Sequence, residues 1–217
     1  MLTIEVDNPD LLVGTVYAVE VPQGPAGPEL SEAIDTALSG AADREARLAG
    51  VRLAIRDLLR AGGYKPAGRG KPASEYLAQA ASRGEFPRIS HIVDALNLVS
   101  LESGLPISLL DWDRAAAGDP GLVIRLGRPG ESFVFNPAGH EIQIEGLLSV
   151  ARANGPALGN PVKDSMAAKT TTETRNVFAV VWASRRAISA ADLAEVCNRL
   201  GYLLGGTAVT VRVVEPS

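Results

Sequence analysis

The apolar positions change period along the chain. Leu2 to Val6 is a short β-rich run, and Val13 to Val21 is a longer one that Pro22 closes. Pro22 to Pro28, reading PQGPAGP, is a loop. Ile34, Leu38, Leu48, Val51, Ile55, Leu58 and Leu59 then follow helical spacing, and Ser39-Gly40 divides the run into two helices. Gly62-Gly63 ends the second. Lys65 to Pro72 is a basic turn segment. Ser74 is the expected N-cap of a helix over 75–82 that Gly84 stops. Ser90 is the expected cap of the next helix. Ile92, Val93, Leu96 and Val99 form its stripe, and Gly104 and Pro106 end it.

From Gly121 onward the pattern is β. GLVIRLG and ESFVF flank Arg128-Pro129-Gly130, which predicts a hairpin, and HEIQIEG is a third short strand. Val177 to Ala183 is nearly all apolar, as in a buried central strand. Ser189 with Asp192 caps a helix carrying Leu193, Val196, Leu200 and Leu203. Gly205-Gly206 ends it, and Val209, Val211 and Val213 alternate in a last strand. The pattern predicts a single α+β domain over 1–217. Its mixed or antiparallel sheet comes mostly after Asp111, with helices packed from the N-terminal half. Ala151 to Arg175 has no clear period and is rich in Gly, Pro, Ser and Thr. It is expected to be a long polar binding or lid loop.

Composition narrows the class. A chain of 217 residues that is 46% hydrophobic and 21% charged can bury a core. No apolar run reaches the roughly 20 residues a membrane helix needs. The acidic start, MLTIEVDNPD, does not resemble a signal peptide, and a lone Cys197 forms no internal disulfide. A cytoplasmic protein is expected. The net charge of -4 argues against an obvious nucleic-acid binder, but the charge is uneven. Arg60, Lys65, Arg69, Lys71, Arg83 and Arg88 make one basic zone. Lys163, Lys169, Arg175, Arg185 and Arg186 make another. Together they offer one face to an anionic partner, or else they are solvated surface.

Most chemical motifs are absent. His91, His140 and Cys197 lack the spacing of a zinc site, and nothing in the chain calls for a metal or cofactor. AGRGKPAS fails as a phosphate loop because Lys65 stands where glycine is needed and Pro72 follows Lys71. There is no Gly-x-Ser-x-Gly elbow. Cys197 lies on an apolar helical face, which is a core position rather than a nucleophile's.

One likeness goes further. HIVDALNLVSLESGLPISLLDWDR, GLVIRLGRPGESF and ETRNVFAVVWAS occur in order. Val93, Asp94, Asn97, Gly104, Pro106, Asp111, Gly121, Arg125, Gly130, Glu131, Thr174, Asn176 and Val177 carry the pattern. Over residues 65–184 the chain resembles the B-three/B-four tRNA-binding and editing domain of the phenylalanyl-tRNA synthetase beta subunit. The resemblance implies that domain's α+β fold, and a cleft that receives a mischarged amino acid on tRNA for ester hydrolysis. It places Ser108 and Asp111 at the cleft after the Gly-Leu-Pro turn, with Asn97 and Asp94 approaching. The chain departs from the family in three ways. Ser108 stands where the synthetases carry a histidine, and Val180 stands where they carry a glutamate. NPVKDSM replaces a glycine-rich loop. The tyrosine-specific pocket is therefore not expected to be retained, and nothing resembles an aminoacylation domain.

The function this implies is hydrolysis of mischarged aminoacyl-tRNA in trans by a free-standing relative. Ser108, Lys163 and Thr172 would donate to the developing oxyanion, and Asp164 or Glu145 would orient water or hold an α-amino group. Asn97, Asp111, Glu145 and Ser165 would contact the substrate. Lys65, Arg69, Lys71 and Arg175 would meet tRNA phosphates at the cleft mouth. The alternatives are a non-catalytic RNA-binding module and a binder of small amino-acid-like molecules. Deacylation separates the first alternative from the enzyme, and salt-dependent tRNA affinity separates the two alternatives from each other.

Overall fold

The computed structural model describes residues 2–117 and 121–216, except for the side chains of residues 41–45. The strands are β1 (Leu2–Ile4), β2 (Leu11–Val19), β3 (Ile107–Asp111), β4 (Leu122–Leu126), β5 (Ser132–Val134), β6 (Glu141–Gln143), β7 (Leu148–Arg152), β8 (Ala157–Gly159), β9 (Val177–Ser184) and β10 (Ala208–Val214). The helices are α1 (Pro28–Ser39), α2 (Ala41–Ala61), α3 (Ala73–Ser82), α4 (His91–Ser103), the single turn α5 (Trp112–Ala115) and α6 (Ala190–Leu204). The architecture is α+β, with mixed and antiparallel sheets.

Two four-stranded sheets organise the chain. One has the order β10-β2-β9-β3 and is antiparallel throughout. The other has the order β1-β4-β7-β8, with β1 parallel to β4. The N-terminal strands are thus integral, and β2 sits between β10 and β9. Most of the strands do follow Asp111, as expected, and what the sequence could not show is where β2 joins them, because nothing local in β2 names its partners.

Strand alternation divides the core. Leu12, Val16, Ala179, Val181 and Ala183 face α1, α4 and α6. Leu11, Val13, Val180 and Trp182 face the second sheet and Leu58 and Leu59 of α2. Helix α6 lies close on its sheet, since a Cβ on Gly14 would stand 2.3 Å from Cys197 Sγ. Burial pushes that thiol up to about 12, so Cys197 packs as an apolar residue.

Several local expectations need correction. Pro72, not Ser74, is the N-cap of α3, and the Ala73 N–H is met at 2.8 Å by the Pro161 carbonyl. With that donor satisfied across the fold, a serine cap has less to do. Ser90 does hold the N-cap position of α4, but its hydroxyl makes no capping bond. Asp94 reaches back instead to the Ile89 N–H at 2.7 Å. The hairpin around Arg128-Pro129-Gly130 does not form. β4 pairs with β1 and β7, while β5 pairs with β6 in a separate ribbon. The connection instead closes on the Gly127 N–H, which donates to the Leu147 carbonyl at 2.8 Å. A Cβ at Gly127 would lie 1.8 Å from the Ile144 oxygen, so only glycine permits this approach.

Residues 151–175 are not a structureless loop. They include the end of β7 and all of β8, and single bridges join Gly159 to Asp164 and Lys169 to Leu110. The stretch after β8 lies along β3, the outer strand of its sheet. It covers an edge that would otherwise present unpaired backbone groups. This pairing is invisible to a period-based reading because it uses isolated bridges and side-chain bonds.

Candidate functional site

The segment Asn160-Pro161-Val162-Lys163-Asp164 builds a tight polar turn against β3. The Asn160 side-chain oxygen accepts from the Val162 and Lys163 N–H groups at 2.9 and 2.8 Å, an Asx turn that Pro161 pre-shapes. The Asp164 carboxylate then accepts from the Leu109 N–H at 3.0 Å. Ser108 lies one residue away on β3. Its hydroxyl donates to the Asn160 carbonyl and accepts from Trp182 Nε1, both at 3.1 Å. Gly159 makes room for the cluster, because a Cβ there would meet Asp164 Oδ1 at 2.6 Å. Two enclosed polar atoms in this cluster have no protein partner, Asn160 Nδ2 and Asp164 Oδ1.

The electrostatics are uneven. Burial pushes the Asp164 carboxyl up to about 6, against the opposing pull of the Leu109 N–H and of two lysines. Burial and the nearby charge of Lys169 lower the Lys163 ammonium, and Asp164 opposes them. Lys163 Nζ lies 5.3 Å from the centre of the Tyr76 ring and 5.4 Å from that of Phe135. Lys169 Nζ donates to the Phe135 carbonyl at 2.9 Å. Among the described residues no carboxylate oxygen comes within 4 Å of either ammonium. The two half-buried lysines are therefore a cationic pair without a close counter-ion.

The Asp164 shift predicts a pH effect. A carboxyl raised above its ordinary 3.8 favours folding most when protonated, below that value, and the advantage is lost as pH rises through about 6. Asp164→Asn should therefore stabilise the protein above pH 6, by about 1–3 kcal/mol, and change little below pH 4. Urea unfolding at pH 4 and pH 7.5 checks this.

The other expected site residues are distributed differently. Ser108 is fully enclosed, and its cross-strand partner is Val180, also fully enclosed. The two positions that depart from the synthetase pattern thus face each other beneath Trp182. Asp111 is buried and caps α5 through the Arg114 N–H, and the Thr174 hydroxyl donates to it at 2.6 Å. Thr172 is exposed at the tip of the turn that Thr171 and Thr174 close. Glu145 accepts from the Gly130 N–H at 3.0 Å, on the surface. Ser165 is buried and accepts from the Ala167 N–H. Asn97 is buried within α4. The structure brings Ser108, Lys163 and Asp164 together and leaves Asp111, Glu145 and Thr172 in separate local roles.

Among the expected tRNA contacts, Lys65 and Arg69 are exposed. Lys71 edges a cleft of about 800 Å³ between α2, α3 and α4, which Arg52 and Arg56 also line. Glu75 neutralises Arg56 through two bonds of 2.5 and 2.6 Å. Arg175 is exposed just before β9, and its carbonyl accepts from Val21. In the second basic zone Arg185 pairs with Glu215, and Arg186 pairs with Asp10 and Asp57. That leaves Lys163, Lys169 and Arg175 as its cations without an ion pair among the described residues, and the two lysines are the half-buried ones. Sequence reasoning missed Asn160, Lys169, Tyr76, Phe135 and Trp182 as site components. The Asn-Pro dipeptide was a legible turn signal for the first.

A family model described as the B3/4 domain matches residues 66–194, more than half of the chain. The chain belongs to the B3/4 domain family. The match runs into α6. The phenylalanine–tRNA ligase beta subunit of Anaeromyxobacter dehalogenans (strain 2CP-C) is 34% identical over 88 residues, which is 40% of this chain and 11% of that protein. The same subunit of Synechococcus sp. (strain JA-2-3B'a(2-13)) is 29% identical over 92 residues, again 40% and 11%. The matched region thus spans about a tenth of these relatives. An N-terminal fragment of the phenylalanyl-tRNA synthetase beta subunit from Pyrococcus horikoshii superposes with a TM-score of 0.46 at 12% identity. That superposition covers 97% of this chain and 50% of the other. In this B3/4 domain no helix among the described residues is long and apolar enough to cross a membrane. No described group of three or more His, Cys, Asp or Glu is placed to hold a metal ion.

Proposed function

We propose that this B3/4 domain binds tRNA and takes an anionic group of the RNA between Lys163 and Lys169. The observation that carries this reading is the pair itself: two half-buried lysines meeting at Phe135, Lys163 at its ring and Lys169 on its carbonyl, with no carboxylate of the described residues within 4 Å of either ammonium. Lysines that repel one another are stabilised by an incoming phosphate. Tyr76 and Phe135 give a nearby base or ribose an apolar surface. Lys65, Arg69, Lys71 and Arg175 extend the contact along the RNA backbone.

The test is tRNA affinity measured across a salt series. Lys163→Ala with Lys169→Ala should flatten the slope of log affinity against log salt by about 1.5, as expected for two lost phosphate contacts. Arg69→Ala with Lys71→Ala tests the extended contact in the same way. An unchanged slope in the Lys163 and Lys169 double variant would overturn the assignment.

Editing in trans is the finer reading, and the Asp164 carboxyl, held at about 6 beside Lys163, favours it. That value comes from burial, with Oδ2 taken by the Leu109 N–H and Oδ1 enclosed, so Asp164 would act on a water only where substrate binding opens the turn. Ser108 is not an open nucleophile, since it is fully enclosed and its hydroxyl already both donates and accepts. Hydrolysis would therefore run through water, Asp164 and Lys163. A deacylation screen over mischarged tRNAs decides it. Lys163→Ala should lower any activity found by about tenfold to a thousandfold. Binding without hydrolysis of any charged tRNA leaves the binding module.

A further inference from the structure

The crevice between the first strand of one sheet and the inner face of the other lies apart from the lysine pair. Only 5% of the chain is aromatic, yet three rings gather there. Tyr17 of β2 meets Trp112 edge-on at 5.2 Å, and Trp112 meets Phe178 of β9 at 5.5 Å, tilted by 42°. The three side chains are half-buried, so their outer faces line open space. That space has a volume of about 420 Å³. Leu2 and Leu122, from the parallel pair β1 and β4, close its far side.

Packing does not explain the lining. Beyond Val13, β2 and β10 turn polar on this face, with Thr15 opposite Arg212 and Tyr17 opposite Thr210. The second sheet ends before covering them. The Thr15 hydroxyl is spent on the Arg212 carbonyl. The Tyr17 hydroxyl, Trp112 Nε1, the Thr210 hydroxyl and the Arg212 guanidinium have no protein partner among the described residues. Most other arginines near strand ends are paired, as Arg125 is with Glu131 and Arg185 with Glu215.

We infer that this crevice is a binding site for a small planar apolar acid. The rings at 62° and 42° form walls around a compact group rather than one flat platform for stacking. The volume suits a molecule of one or two rings. The single unpaired cation at the rim selects a carboxylate, which a guanidinium can hold through two parallel hydrogen bonds. Trp112 Nε1 and the Tyr17 hydroxyl supply donors within the walls.

The protein carries its own reporter. It has two tryptophans, and Trp182 is fully buried, so Trp112 fluorescence follows occupancy of the crevice. The full chain is titrated with 3-phenylpropionate, with the neutral alcohol 3-phenylpropanol, and with adenosine monophosphate. The acid should give a saturable change and bind at least tenfold more tightly than the alcohol. Arg212→Gln, on an exposed strand position, should abolish that preference and leave alcohol binding intact. Phe178→Ala should weaken both, with circular dichroism confirming the fold. No saturable change with acid or alcohol would overturn the site. An acid preference that survives Arg212→Gln would overturn the charge assignment. Tighter binding of the nucleotide than of the acid would overturn the ligand class in favour of an RNA contact.

Discussion

Trp182→Ala is expected to destabilise the protein by about 3–5 kcal/mol, among the largest effects of any single core truncation in this chain. Trp182 is fully buried on β9, between Val13 of β2 and the second sheet. Its removal leaves a cavity that the surrounding strands cannot close, because their backbones are fixed by pairing on both sides. The Ser108 hydroxyl also loses the Nε1 donor that fixes its orientation. For a chain of this size the melting temperature should fall by roughly 10 °C or more. Trp182→Phe keeps most of the ring volume and should cost about half as much. Chemical denaturation of the two variants separates the cavity from the lost hydrogen bond. A loss below about 1 kcal/mol for Trp182→Ala would mean that the layer relaxes around the gap.

The same residue explains why the site was harder to read than the fold. Val177 to Ser184 announces a buried strand by composition alone, and the α6 signals at Ser189, Asp192 and Gly205 act locally, where sequence reasoning is strongest. The site depends on contacts between segments far apart in sequence. Ser108 is placed by Trp182 and Asn160, and Lys163 by Phe135 and Tyr76. No local pattern connects those pairs. A stretch rich in Gly, Pro, Ser and Thr looks structureless when its bonds go to another strand's edge. Ser74 failed as a cap for the same reason, since the carbonyl that serves α3 comes from Pro161.

The motif residues that carried the family likeness are largely structural devices. Asp94 closes the entry to α4, and Gly104 ends that helix at a φ of 74°. Asp111 caps α5 and accepts from Thr174. Such positions report a shared scaffold, which is why the likeness predicted the fold class and the family more directly than the chemistry. Ser108 and Val180, where the chain departs from the synthetases, meet across β3 and β9 in a closed layer. The two departures are thus cross-strand neighbours in one layer, where the Ser108 hydroxyl is already bonded to Asn160 and Trp182. Outside that layer, on the turn, the Lys163 ammonium is half-buried while the Asp164 carboxylate is enclosed.

Glu131→Ala should cost about 3–5 kcal/mol through a different mechanism, the stranding of a buried charge. Arg125 is 7% exposed at its side chain, and Glu131 holds it with two bonds of 2.7 and 2.8 Å. The Glu131 carboxylate also accepts from the Arg128 and Ala157 N–H groups, so it joins β4, the following loop and β8. Without it the guanidinium keeps only the Leu126 and Gly155 carbonyls, and its Nε is already enclosed without a partner. The pair also sets a pH limit. The Arg125 hydrogen bonds lower the Glu131 carboxyl from 4.5 to about 2. Its contribution is therefore complete above pH 4.5 and is lost as pH falls toward 2. Glu131→Gln should remove that part of the acid sensitivity while preserving more of the hydrogen bonding than alanine does. Urea midpoints at pH 7, 4 and 3 for the parent and both variants test the account. The parent and Glu131→Gln should converge as pH falls, and curves that stay parallel across the series would rule the ion pair out as the source.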